Sequence, residues 1–502
     1  MRQLLSLMLF LSAICASAQQ YITPVRTDIL PTSPQTAAVI EQQVPKPSLL
    51  TGAVDFSVPL YTIELDRYTL PLSLNYRTNG IKFYDDPGVI GYGWTLQPAL
   101  RVSRTIMGRA DEKTDNVAEQ LKNPSDMSRW EYAYKCISPH VTNPFGYDSQ
   151  PDIFKIALPD KVLTRVYDKS TDTFVGMGDS EYTVRTGDKM ETITVLAPDG
   201  VKYTFGENKG AHEYIKVPQT GIDSLYISWL LSEIELTSGR VIKFKWSERK
   251  CQDMPMIEQK TYLDGHGIRR DLEFLKVIDA QSKIQPVRGS YENLKKLQSI
   301  SFGGSSVQFV YKTIAYDGVH DADFLRRIAI VAPDNSWRPI EIMRGQDYKD
   351  INLLKNIHLS DKDVYTFDYN STRFNNITQH YGTEALCYPV DWWGYYNNAP
   401  NLSFSIPVTF NEYDRNGPTG NKHRETGINR EINVNAMKAN ILESITYPGG
   451  GRCTFTYDVH TFPTIEAETY GEVSPTMFSR GGGLRVNRVE MFDSDGESVG
   501  YR

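Results

Sequence analysis

LSEIELTSGRVIKFKW (231–246), LQSISFGGSSVQFVY (297–311), LKNIHLSDKDVYTFDY (354–369) and LESITYPGGGRCTFTY (442–457) are four readings of one pattern. Each opens on L-x-x-I, passes through a turn and closes on F-x-aromatic. The Ile-to-Phe spacing is 10, 9, 10 and 10 residues, and three of the four turns contain glycine. Side chains alternate across a strand, so both rings of F-x-aromatic share one face. Each segment therefore reads as a β-hairpin with one apolar face. A lone hairpin is marginal in water, so the copies must pair or stack. Phe244, Phe309, Phe367 and Phe455 are the expected repeat core. Partial copies stand at 325–328 and 486–489.

Upstream, TGAVDFSVPLYTIELDRYTLPLSLNYRTNGIKF (51–83) alternates apolar and polar residues, the period of half-exposed strands. Val54, Phe56 and Val58 are expected on one face, and Leu70, Leu72 and Leu74 on another. Asn79-Gly80 is a type I′ turn signal. It predicts a hairpin between 70–76 and 81–84. Gly88, Gly91 and Gly93 surround Trp94. They lack the spacing and the closing Lys of a phosphate loop. A tight loop packing backbone beneath the Trp94 ring is expected instead. Residues 114–135 hold few β-branched side chains and predict a minor helical insertion, with a second short helix opening at Pro124-Ser125-Asp126. Elsewhere, turn signals such as Pro198-Asp199-Gly200, Ser238-Gly239 and Pro448-Gly449 punctuate short strands, which indicates an all-β build of antiparallel hairpins.

The chain has 502 residues, with 54 Lys and Arg against 61 Asp and Glu and a formal charge of −7. That acidity argues against a nucleic-acid binder held by phosphate contacts. A hydrophobic share of 40% fits a folded chain. The 30 Tyr suit strands with a ring in the core and a hydroxyl in water.

Arg2, the apolar run 4–16 and Ala16-Ser17-Ala18 form a secretory signal peptide over 1–18, cleaved after Ala18. The run is too short to span a bilayer. The expectation is export through the Sec pathway, to a secreted or cell-surface location, without a membrane span. Four cysteines remain: Cys136, Cys251, Cys387 and Cys453. No C-x-x-C occurs, which excludes a zinc ribbon. Export permits disulfides, but a chain this long can bury enough core without them. Buried free thiols are the expectation.

Other constellations have structural readings. Asp85-Asp86-Pro87-Gly88 is turn chemistry, because adjacent strand residues face opposite ways and cannot form an acid–base pair. Asp493-Ser494-Asp495-Gly496-Glu497 begins like a calcium loop but has Ser498 at the sixth position where an EF-hand needs glycine. It reads as a hairpin turn. His320-Asp321, and the pair His380 with Cys387, have no companions that would make a metal site or an activated nucleophile. No G-x-S-x-G is present. Hence no catalytic, cofactor or metal residues are expected. The ring cluster in DWWGYYNN (391–398) is the exception worth testing. Trp392, Trp393, Tyr395 and Tyr396 are expected either to fill a junction between β units or to form a stacking platform for a sugar ring or a partner.

The repeats resemble degenerate YD repeats of the Rhs family, exported proteins whose hairpins coil into a large β shell. GAVDFSVPLYTI, LPLSLNYRTNGIKF, VIGYGWTL, DSQPDIFK, APDGVKYTFGE, DWWGYYNN, ITYPGGGRCTFTYD and GGGLRVNRV resemble the N-terminal region of secreted Rhs-like proteins of Gram-negative bacteria. The likeness runs from about Pro45 to the C-terminal end. It implies sandwich-like and Rhs-shell-like sheets, followed in that family by a core segment and a variable, often toxic, C-terminal domain. No match to that core or effector is found in the 502 residues. The expected organisation is a signal peptide (1–18), an extended leader (19–48), an N-terminal β unit (49–113), a mixed β region with short helices (114–225) and degenerate YD-like hairpins (226–502), expected to be incomplete at the C-terminal end. The implied function is a secreted, non-enzymatic β scaffold that carries or encapsulates an effector. Its partners would be the downstream Rhs core and effector domain if the chain is a fragment. The alternative is a cell-surface carbohydrate-binding module using the 392–396 rings, with a glycan as partner.

Overall fold

The computed structural model describes residues 45, 47–48, 50–82, 85–107, 111, 151–168, 171, 173–176, 178–187, 190–207, 209–217, 222–250, 256–257, 286–287, 293–315, 321–347, 350–374, 389–399, 409–414, 417–424, 429–463 and 478–501. The signal peptide, most of the leader, the helix expected at 114–135, Cys136, Cys251, His320, His380 and Cys387 lie outside the described residues.

The chain opens with β1 (Val54–Leu65), β2 (Tyr68–Thr78) and β3 (Trp94–Gln97), ordered β1-β2-β3. Alternation drives β1: Val54, Phe56, Val58 and Leu60 are buried, and the residues between them are exposed. A bulge between Pro59 and Tyr61 shifts the pattern, after which Ile63 and Leu65 face inward. Asp66, in the left-handed region at φ 56°, turns the chain into β2. Phe56 then lies opposite Tyr76, Val58 opposite Leu74 and Ile63 opposite Leu70. The two apolar sets expected on different faces therefore share one face, because directly paired residues point the same way. The hairpin expected at Asn79-Gly80 is also corrected. β1 and β3 occupy both edges of β2, so a strand opening at Ile81 has no place beside it; residues 83–84 lie outside the described residues. Lys82 instead bridges to Tyr395.

The next strands are β4 (Arg101–Thr105), β5 (Ile153–Ala157), β6 (Val162–Asp168), β7 (Thr173–Gly176), β8 (Thr183–Thr186), β9 (Ile193–Leu196), β10 (Lys202–Phe205), β11 (His212–Val217), β12 (Ile222–Glu235) and β13 (Val241–Glu248). The long β12 is a branch point. Its first half lies between β11 and β4, and its second half between β10 and β13. One arm of the sheet thus runs β4-β5-β6-β7 and another runs β10-β9-β8. A buried ion pair, Arg104 with Asp152, ties the start of β5 to β4; both side chains are fully enclosed.

After a short pair, β14 (Met256–Ile257) with β15 (Pro286–Val287), come β16 (Lys295–Phe302), β17 (Ser305–Ala315), β18 (Asp321–Val331), β19 (Trp337–Arg344), β20 (Leu354–His358) and β21 (Val364–Tyr369). A second pair, β22 (Thr409–Asp414) with β23 (Gly417–Arg424), and the one-turn helix α1 (Val434–Met437) precede β24 (Leu442–Thr446), β25 (Arg452–Pro463), β26 (Phe478–Phe492) and β27 (Ser498–Tyr501). From β12 onward the ladder is antiparallel and sequential, with the two short pairs as excursions. Among the described residues about 59% are strand and 3% helix, so the fold is all-β.

The ladder explains the repeat. Each Phe pairs with the Ile or Val of the following unit: Phe244 with Ile300, Phe309 with Ile328, Phe367 with Ile445 and Phe455 with Val489. The second aromatic pairs with the following Leu or Val: Trp246 with Leu297, Tyr311 with Leu325, Tyr369 with Leu442 and Tyr457 with Val486. Between the two pairs one residue bulges out of the L-x-x-I strand. A strand of period two would send positions three apart to opposite faces. The bulge absorbs one residue and returns both to the same face. The spacing of L-x-x-I against F-x-aromatic is therefore the sequence trace of a bulge.

The hairpins pair only near their turns and then splay. The second aromatic fills the wedge. Trp246 Nε1 donates to Leu231 O at 2.7 Å, Tyr311 OH to Leu297 O at 2.7 Å and Tyr457 OH to Leu442 O at 2.5 Å. Each satisfies the Leu carbonyl of its own hairpin where the strands part.

β1–β3 lies against the apolar face of this ladder. Phe56 stands 6.5 Å from Phe367, 6.4 Å from Tyr365 and 6.0 Å from Tyr447, ring centre to ring centre. Trp94 meets Phe367 edge-on at 4.7 Å and donates Nε1–H to Tyr369 OH at 2.9 Å. Leu442 N donates to Tyr76 OH at 3.1 Å. Burial pushes the Tyr76, Tyr369 and Tyr457 hydroxyls up, so they remain neutral in the core. A void of about 10 Å³, room for one water, lies among Leu72, Leu96, Phe244, Trp246 and Ile300. The two sheets thus pack as a filled sandwich here. Gly93 serves this packing: a Cβ there would stand 2.6 Å from the Tyr76 ring. A Cβ on Gly91 would stand 2.8 Å from Asn352 O. These glycines make room for Tyr76 and Asn352, not for the Trp94 ring as expected.

Candidate functional site: a glycine and aromatic clasp

Three motifs far apart in the chain converge: the ring cluster, Asn79-Gly80 and Gly481-Gly482-Gly483. Asp391 organises the first. Its Oδ1 accepts from Trp393 N at 2.9 Å and Tyr395 N at 3.0 Å, which folds 391–395 into a tight turn. Arg430 Nη1 donates to Val390 O at 3.0 Å and to Asp391 O at 3.3 Å. Asp391 is buried and its Oδ2 has no hydrogen-bond partner. Burial raises this carboxyl above its ordinary range.

The turn seats two rings on glycines. A Cβ on Gly481 would fall 2.3 Å from the Trp393 ring. One on Gly483, at φ 95°, would fall 2.5 Å from Tyr395 Oη and 2.6 Å from Asn79 O. Gly80, at φ 113°, brings its backbone against the Tyr395 ring. Only glycine fits such approaches. Backbone bonds complete the junction. Leu484 N donates to Asn79 O at 2.5 Å and Val486 N to Gly52 O at 2.8 Å. Asn79 Nδ2 donates to Thr51 O at 2.5 Å and to Leu484 O at 3.4 Å. The result is a clasp that joins the β1–β2 unit to β26.

The four rings of the cluster do not form one platform, which corrects that reading. Tyr395 and Tyr396 are buried, Tyr395 in the main core and Tyr396 against Phe374 at 5.3 Å. Trp392 and Trp393 are 55% and 38% exposed. The reason is the Asp391 turn, which sends neighbouring rings to opposite sides. Phe244, Phe309, Phe367 and Phe455 are all buried, at 8%, 5%, 0% and 5% exposure. The roles of Thr51, Gly52 and the Asn79 amide escaped sequence reasoning. The glycines were the available signal: Gly80 stands in a hairpin-turn dipeptide and Gly481-Gly482-Gly483 in a family-like segment, and neither setting points to a ring seated on backbone.

The other constellations are structural where described. Asp85 Oδ2 accepts from Lys82 N, and Asp86 Oδ1 from Gly88 N and Arg249 Nη2. Asp493 Oδ1 accepts from Asp495 N and Glu497 N within the β26–β27 turn. Cys453 is a buried free thiol, pushed up to about 12 by burial. Among the described residues no three His, Cys, Asp or Glu side chains are grouped to hold a metal. Among the same residues no helix is long and apolar enough to cross a membrane.

No family model and no curated protein matches the chain. Solved structures give distant likenesses. The N-terminal domain of effector protein SpvB from Salmonella typhimurium is 12% identical, with a TM-score of 0.28 over 58% of this chain and 94% of that one. The TcdB2-TccC3 structure is 12% identical, with a TM-score of 0.36 over 82% of this chain and 21% of that one. The Tc holotoxin pore of Photorhabdus luminescens is 11% identical, with a TM-score of 0.35 over 91% and 21%.

Proposed function

We propose that this chain is a non-enzymatic β scaffold, the N-terminal part of an Rhs-like shell protein that shields or carries an effector. One observation carries the reading: every full repeat hands its F-x-aromatic strand to the next unit, so the hairpins form a continuous wall. β1–β3 seals one stretch of its apolar face, and the clasp fixes that seal. The buried polar groups of the clasp hold backbone and present no acid–base or nucleophile pair to solvent. The test is to read the gene beyond codon 502 and express the polypeptide encoded there with and without residues 45–502. Protease protection of that downstream polypeptide only in the presence of the scaffold supports the reading. A stop codon directly after Arg502, or equal digestion in both samples, refutes the carrier role. Exposure of Trp392 and Trp393 favours one second reading, glycan binding at the outer side of the clasp. Glycan-array signal lost in a Trp392→Ala/Trp393→Ala variant would establish it.

A further inference from the structure

Asn79-Gly80 makes no hairpin, yet its chemistry stands out. Asparagine followed by glycine is the dipeptide most open to intramolecular attack, because no side chain shields the following amide nitrogen. In that reaction Gly80 N loses its proton and bonds to Asn79 Cγ. The Cγ–Nδ2 bond breaks and ammonia leaves with the proton. Water then opens the succinimide ring to aspartate or isoaspartate. The net change is hydrolysis of one amide by one water.

The fold holds every participant away from this path. Gly80 N–H donates to Thr78 Oγ1 at 3.0 Å, and Thr78 Oγ1–H donates to Gly80 O at 2.7 Å. Gly80 is buried. The Asn79 amide is anchored through Nδ2 to Thr51 O and Leu484 O. Attack requires release of the amide and of Gly80 N together, which means opening the clasp.

We propose that Asn79 is a modification site whose deamidation converts the clasp from closed to permanently open. The product places a carboxylate where an amide donated, facing the carbonyl oxygens of Thr51 and Leu484. Two attractions become two repulsions. In the isoaspartyl product the backbone is longer by one atom, and the Leu484 N to Asn79 O bond loses its register. The reaction is slow while the clasp is shut and fast once it opens, so each opening event risks becoming irreversible. This goes beyond the scaffold reading and holds whether or not an effector is carried.

The experiment incubates the full chain at pH 9, folded or in urea, and follows the Asn79 peptide by mass spectrometry for amide-to-acid conversion. Conversion at least about tenfold slower in the folded chain is expected, since reaction must wait for local opening. Equal rates in the two states overturn the proposal. In parallel, Asn79→Asp is compared with the native chain by hydrogen exchange. Faster exchange at the Leu484 and Val486 amides, with the Trp229 region unchanged, is expected. Unchanged protection at Leu484 and Val486 overturns the switch. If Asn79→Asp does not fold, the folded-against-urea rates of the native chain decide.

Discussion

Tyr457→Phe removes one oxygen from the wedge of the β24–β25 hairpin and changes nothing else. Tyr457 is 6% exposed, and its hydroxyl donates to Leu442 O at 2.5 Å. Leu442 is itself fully buried, so no water can replace the lost donor. The stranded carbonyl should cost about 1–3 kcal/mol, the range for an orphaned buried acceptor. Tyr311→Phe removes the equivalent bond to Leu297 O at a half-buried site, where water can substitute. It should cost only about 0.5–1.5 kcal/mol. Urea unfolding followed by tryptophan fluorescence measures both, with hydrogen exchange at residues 442–446 as a local readout. The wedge argument fails if Tyr457→Phe leaves the midpoint unmoved. It fails equally if Tyr311→Phe is the more damaging of the two.

Gly483→Ala should loosen the clasp by at least about 1–2 kcal/mol from its left-handed backbone alone, because its Cβ would also strike Asn79 O; limited proteolysis near β26 would report this. Asp323 supports acid stability. Burial alone would raise its carboxyl, but hydrogen bonds from Lys296, Thr313 and Lys250 N hold it below the usual range. Its stabilisation is therefore present above about pH 4, the ordinary carboxylate value, and lost as pH falls. Asp323→Asn should flatten the acid limb of a stability-against-pH curve. Cys453, neutral and enclosed, should resist iodoacetamide in the folded chain and react after urea unfolding, read on its own peptide by mass spectrometry. Trp392→Ala should leave the unfolding midpoint within about 0.5 kcal/mol, whereas Trp393→Ala should move it further, since that ring is seated on Gly481.

Much of the all-β build was legible because local physics writes it into the chain. Alternation marks strands, and turn residues mark reversals. The constant distance from Ile to Phe in 231–246, 297–311, 354–369 and 442–457 marks one unit repeated. Even the bulge left its sign, as three-residue spacing in L-x-x-I opposite two-residue spacing in F-x-aromatic. The partner of each repeat was not legible. That Phe244 meets Ile300, and Phe367 meets Ile445, depends on where each hairpin splays, and splay is a property of neighbouring strands. Asn79-Gly80 shows the same limit. Its local preference is a hairpin turn, but β1 offered β2 a twelve-residue partner with one apolar face, and tertiary pairing outweighed a two-residue propensity. The ring cluster divided for the same kind of reason. Four aromatic residues in sequence say nothing about which rings face inward. Asp391, Gly481 and Gly483 decided that, and Asp391 stands 90 positions from Gly481 in the chain, so their meeting is a tertiary event.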